Sequence, residues 1–331
     1  MSIRATSPGR AFLAIAVLFS FAAAANAQLS VGRRVSKPAK ASTINSERLL
    51  KDIEYLSSDA MRGRRTGSPE SLKAREFIVD RFRDAGLKMF GDSFIQEFTF
   101  TRRGQTDKIA GANVVGYIKG KKHPEKYIVV SAHYDHVGVQ NGEIYNGADD
   151  NASGTAALLA IAERFMKERP RHSIIFVAFD AEEQGLQGSR YFVANLPVKK
   201  ESIVLNVNMD MLARNDKGEL YAAGRLHYPQ FSNVLTKVQK AAKIKLLLGH
   251  DVPGTGQDDW TSQSDHAAFH REKIPFLYFG VENHKDYHRP TDDFANIQPE
   301  FYVKAVETVL GVIREIDRQT WGSGIGVSFS N

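Results

Sequence analysis

Four apolar runs constrain the fold of this chain more than anything else in it: YIVVSA (127–132), SIIFVAF (173–179), IVLNVNM (203–209) and PFLYFG (275–280). Each is too short for a typical helix and apolar on both faces, which is how a strand reads when helices cover both sides of its sheet. Helical patterns fall between them, from Gly154 to about Glu168, near 188–196 and around 231–243, and Glu300 to Ile316 is a long amphipathic stretch. Upstream, Leu49, Leu50, Ile53 and Leu56 recur at helical spacing. Ser68-Pro69-Glu70 opens a second helix, with a stripe of Leu72, Phe77, Ile78 and Phe82 and a stop at Gly86. QEFTF and ANVVGYI predict two strands meeting near the RRGQ turn. The alternation predicts an α/β fold, a three-layer helix–sheet–helix sandwich around a mixed, mostly parallel sheet.

Acids and histidines gather where these runs end, the edge at which open α/β sheets place their functional residues. SAHYDHVG follows the first run, DAEEQG the second and NMDM the third, DYHRPTDD lies beyond the fourth, and GADDNASG sits just ahead of a helix. Two hard divalent ions need about three protein ligands each, and one shared carboxylate lets five residues suffice. His133, Asp150, Glu183, Asp210 and His288 supply that set, which points to metal-assisted hydrolysis. Asp135, two residues after His133, is placed to take the second N–H of a metal-bound imidazole and so aim its ring. His136 reads as a weaker candidate that packs or hydrogen-bonds at the rim. The glycines on both sides of Asp149-Asp150 exceed what a helix cap requires. Glu182 and Glu183 point apart, so one can bind metal while the other faces substrate. His284 and His288 have helical spacing, but Pro290 argues for a loop, so one ligand is expected there, His288.

The first 27 residues read as a cleavable leader, expected to send the mature chain to the periplasm or outside the cell. Arg4 and Arg10 precede an apolar stretch from Ala11 to Ala24, and Ala25-Asn26-Ala27 gives the small-x-small cleavage pattern. About 14 apolar residues fall short of the roughly 20 that cross a bilayer, and no membrane span is expected after cleavage. The layout expected is a leader (1–27), a linker (28–45), one domain (46–320) and a tail (321–331). With no cysteine in the chain, thiolate nucleophiles, thiolate metal ligands and disulfides are excluded, which leaves N and O donors. Much of the +6 formal charge lies in the leader and in Arg33, Arg34, Lys37 and Lys40, and no nucleic-acid-binding motif accompanies it, so no nucleic-acid partner is expected.

These motifs, in this order, resemble those of the co-catalytic zinc exopeptidases, which include the secreted bacterial leucyl aminopeptidases, aminopeptidase Y and glutamate carboxypeptidase. The resemblance spans about residues 46–320 and takes in LSSDAMRGRRTGS, NVVGYIKG and SDHAAF as well as the five metal motifs. It implies a zinc peptidase domain holding two zinc ions per chain. His133 and Asp210 would hold one ion, Glu183 and His288 the other, and Asp150 would bridge them. Glu182 matches the general base, Asp135 the acid behind the first histidine, and Tyr287 the tyrosine that stabilises the oxyanion in some members. The resemblance also implies a cis peptide after the bridging acid, Asp150–Asn151. The implied substrate is a peptide, attacked from its N-terminus. The rivals are a carboxypeptidase or dipeptidase of the same fold, a glutaminyl cyclase, and a binding module that has lost catalysis.

Overall fold

A computed structural model describes residues 44–101, 104 and 106–321. The leader, nearly all of the linker and the tail beyond Trp321 lie outside the described residues, as do Arg102, Arg103 and Gln105 of the turn expected between the first two strands.

Two helices come first, α1 (Ser46–Leu56) and α2 (Pro69–Ala85). Asn45 caps α1 by accepting from the Arg48 N–H, Ser68 caps α2 by accepting from the Ser71 N–H, and Gly86 ends α2 in the left-handed conformation. A 3-10 segment, Asp59–Arg64, lies between them. Then follow β1 (Ile95–Thr101), β2 (Lys108–Ile118), β3 (His123–His133), a hairpin of β4 (Gly138–Gln140) and β5 (Glu143–Tyr145), α3 (Gly154–Glu168) and β6 (His172–Phe179). The remainder is α4 (Gln187–Ala194), β7 (Ile203–Met209), β8 (Glu219–Ala223), α5 (Ser232–Ala241), β9 (Lys245–Leu248), α6 (His266–Arg271), β10 (Phe276–Gly280) and α7 (Pro299–Arg318).

Among the described residues eight strands form one sheet in the order β1-β2-β6-β3-β7-β10-β8-β9. Its centre, β6-β3-β7-β10, is parallel throughout, and antiparallel pairs at β2-β6 and β10-β8 lead to the edges. The strand period of two separates the faces. Ile128, Val130, Ile174 and Phe176 share one core cluster with apolar residues of α1, α2, α3, α5 and α7, whereas Val129, Ile175, Val177 and Phe179 share another with residues of α4 and α6. The sandwich expected from the four apolar runs is therefore present. The β4-β5 hairpin, β9 and α6 are additional to the expectation, being short elements with weak periodic signal.

Topology places the chemistry. His133 is the last residue of β3, Asp210 follows β7, Glu182 and Glu183 follow β6, and His288 lies in the loop after β10. All four parallel strands run the same way, so these side chains converge at one rim of the sheet.

Candidate metal centre

The turn Ala148–Ser153 carries Asp150 to that rim at the start of α3, with a cis peptide between Asp150 and Asn151. Glycine is required at both ends of the turn. Gly147 has φ +56°, and a Cβ there would stand 2.5 Å from the His136 ring; one on Gly154 would stand 2.3 Å from Asn151 Oδ1. Asp292 fixes the turn from outside by accepting the N–H of Asp149 at 2.9 Å and of Asp150 at 3.0 Å. Burial and the neighbouring Asp149 push the Asp292 carboxyl up to about 6.

Asp150 divides its two oxygens. Oδ1 lies 3.5 Å from His133 Nε2, whose other neighbour is Asp210 Oδ1 at 3.3 Å. Oδ2 lies 2.9 Å from His288 Nε2 and 3.8 Å from His136 Nδ1. Glu183 Oε1 completes the second side, 2.8 Å from His136 Nδ1 and 3.4 Å from His288 Nε2. Two donor groups result, His136-Asp150-Glu183-His288 and His133-Glu182-Asp210, the atoms within each lying within 4.8 Å of one another. Glu182 and Glu183 diverge as adjacent side chains should, one to each group.

Opposed charges and burial compete at each of these groups. Burial opposes charge on His133, but Asp210 and Glu182 outweigh it and hold the imidazolium well above its usual range. Burial likewise opposes charge on His288, and the bonds to Asp150 and Glu183 raise it to about 10. Burial would raise Glu183, yet His136 and His288 hold it well below the usual carboxylate range. Burial drives Glu182 well above that range despite His133. The donors are all nitrogen and oxygen, the set that suits hydrolytic zinc. Both ring nitrogens of His136 and Glu183 Oε1 are buried without a hydrogen-bond partner, so the second group fits a cation.

Supporting residues complete the site. The Asp135 carboxylate accepts the Glu182 N–H at 3.0 Å and lies 3.7 Å from His133 Nδ1; that ring nitrogen meets the Asp135 carbonyl more closely, at 3.1 Å. Asp135 thus aims the Glu182-Glu183 loop as well as the histidine. Tyr287 stacks on His288 with centroids 4.0 Å apart and lines the cleft above the donors. That cleft is about 640 Å³, with Met211, Trp260, Tyr278 and Val281 among its walls.

Several residues escaped the sequence reading. His136 reads in sequence as the weaker candidate, packing or hydrogen-bonding at the rim; its ring is fully buried and faces the donors, because Gly147 leaves room for it. Asp149 accepts the Ala213 N–H at 2.6 Å and lies 3.1 Å from His284 Nε2, which leaves His284 outside both groups. Arg64, fully buried, donates to the carbonyls of Leu56, Tyr134, Asn146 and Gly147 at 2.5–3.0 Å and so ties the His133 loop to the Asp150 loop. Burial lowers its guanidinium to about 10. In sequence Arg64 lies within LSSDAMRGRRTGS, where nothing local marks it apart from the neighbouring arginines.

Known proteins resemble this chain in sequence and in fold. The profile of peptidase family M28 matches residues 113–313. Aminopeptidase YwaD of Bacillus subtilis (strain 168) is 33% identical over 215 residues, 61% of this chain and 44% of that protein. The matches span about half or less of the length of the curated relatives. Among solved structures, the aminopeptidase from Aneurinibacillus sp. strain AM-1 superposes with TM-score 0.70 at 17% identity, over 87% of this chain and 97% of its own. The glutaminyl cyclase of Porphyromonas gingivalis does so with TM-score 0.68 at 18% identity, over 83% of this chain and 100% of its own. At such identities the likeness is one of fold.

Proposed function

The chain belongs to peptidase family M28, and from that membership we propose that it is an exported zinc aminopeptidase, holding two ions and releasing residues from the N-terminus of peptides. The observation that carries the reading is the divided carboxylate of Asp150, one oxygen toward His133 and the other toward His288. His133, Asp210 and Asp150 would hold one ion, and Glu183, His288 and Asp150 the other. Bound zinc supplies a water of lowered pKa and a Lewis acid for the scissile carbonyl.

The protein's own groups do the rest. Glu182 stands beside His133 and Asp210 in the cleft, where it takes a proton from the attacking water and returns it to the leaving amine. Tyr287, at the same wall, is placed to donate its hydroxyl to the developing oxyanion. Met211, Trp260 and Val281 favour an apolar side chain on the released residue. A free α-ammonium sits well among Glu182, Glu183 and Asp210, whose charge selects the N-terminus. Export rests on the leader sequence alone; among the described residues no helix is long and apolar enough to cross a membrane.

The test is a timed mass-spectrometric digest of one peptide in free-amine and N-acetylated forms. Shortening of the free form from its N-terminus, with the acetylated form inert, is the expected result. A ladder from the C-terminus replaces the aminopeptidase with a carboxypeptidase, and ammonia released from an N-terminal Gln peptide replaces it with a cyclase.

A further inference from the structure

We infer that His136 is a fourth protein ligand of the metal position formed by Asp150, Glu183 and His288, which makes that position closed beside an open one at His133 and Asp210. The inference rests on the zinc reading above and goes beyond its five ligands.

A tetrahedral zinc with N and O ligands at 2.0–2.2 Å keeps its donors about 3.3 Å apart. The four contacts around this position, at 2.8, 2.9, 3.4 and 3.8 Å, bracket that spacing, and His136 Nδ1 contributes two of them. The ring is fully buried, and neither nitrogen has a hydrogen-bond partner. Nδ1 pairs with Glu183 Oε1 at 2.8 Å and lies 3.8 Å from Asp150 Oδ2, so it faces both carboxylates of the position without a hydrogen bond to either. A buried imidazole without a hydrogen bond costs stability, and a cation between it and the two carboxylates removes that cost. Gly147 is the residue that seats it, since any larger side chain there would strike the ring.

Closed four-donor zinc sites are the retentive kind, whereas catalytic sites keep three protein ligands and one open position. The two ions should therefore differ in affinity, the one beside His136 leaving last, and the reacting water should belong to the His133 side. Equilibrium dialysis of the mature protein against graded chelator, with zinc per chain read by elemental analysis, tests this. The wild type should lose its ions in two separated steps. His136→Ala should lose the second step, its retained ion weakening by more than the roughly 10–100-fold that removal of a ligand's supporting partner costs; His123→Ala, away from both groups, should behave as wild type. X-ray absorption on the two-zinc wild type should count three imidazoles over two ions, and this decides the matter if His136→Ala does not fold. Wild-type retention by His136→Ala, or a count of two imidazoles, overturns the inference while leaving the zinc peptidase reading intact. A wild type that holds no zinc overturns that reading itself.

Discussion

Glu182 and Glu183 are neighbours in the chain and part company in space. One faces the donors His133 and Asp210, the other His136 and His288, and the Asp135 carboxylate holds the backbone N–H of Glu182 so that the divergence persists. Their replacements should therefore fail differently. Glu182→Gln keeps the shape and removes the proposed base, so turnover should fall by ~10²–10⁴-fold while zinc content stays near that of the wild type. Glu183→Gln should shed one ion. Steady-state kinetics and elemental analysis on the same preparations check the pair, and zinc lost from the first but kept by the second would reverse the two roles.

At the scale of elements, α7 connects the far end of the chain to the rim. Its apolar stripe, including Phe301, Ala305, Val309 and Ile313, packs under the sheet, and the Tyr302 hydroxyl donates to the Ser153 carbonyl at 2.6 Å, at the foot of the Asp150 turn. The last turn is anchored by Asp317, which accepts the N–H groups of Arg171 and His172 where β6 begins. Burial would raise this carboxyl, but the bond from the His172 ring and the two N–H groups outweigh it and hold it below its ordinary value. A carboxyl depressed on folding adds stability that is full above its unfolded pKa, about 3.9, and is lost as pH falls through the folded value. Asp317→Asn should cost about 2 kcal/mol at neutral pH, and below about pH 4 the difference from wild type should shrink. Urea titrations at several pH values measure both effects; a constant difference down to pH 2 would remove Asp317 from the account.

For the molecule as a whole, charge at the rim is unbalanced without cations. Asp135, Asp149, Asp150, Asp180, Asp210, Asp265 and Asp292 are buried there together, and Asp180 and Asp265 are pushed up to about 7 by burial first and by nearby carboxylates such as Asp135. Arg64 and the histidines offset part of this charge. Ligands that bind only the folded state stabilise by mass action, about 2.7 kcal/mol at a hundredfold excess over Kd. Chelation should lower the melting temperature by roughly 5–10 °C for each tightly held ion, and added zinc should restore it. Differential scanning calorimetry decides the point, and a melting temperature indifferent to chelator would count against resident metal.

The sequence by itself determined the layers and the rim. Apolar runs buried on both faces leave few choices but a helix-covered parallel sheet, and strand ends in such a sheet share one edge, so His133, Glu182, Glu183, Asp210 and the loop of His288 were bound to converge. Periodicity carries that information because it is local. Tertiary structure alone decided which side of Asp150 each histidine takes, that His136 turns inward, and that Arg64 and Asp292 hold the loops. Those outcomes depend on packing between segments far apart in the chain, Gly147 against His136 and Arg64 against the Asn146 carbonyl, for which a local pattern has no signature.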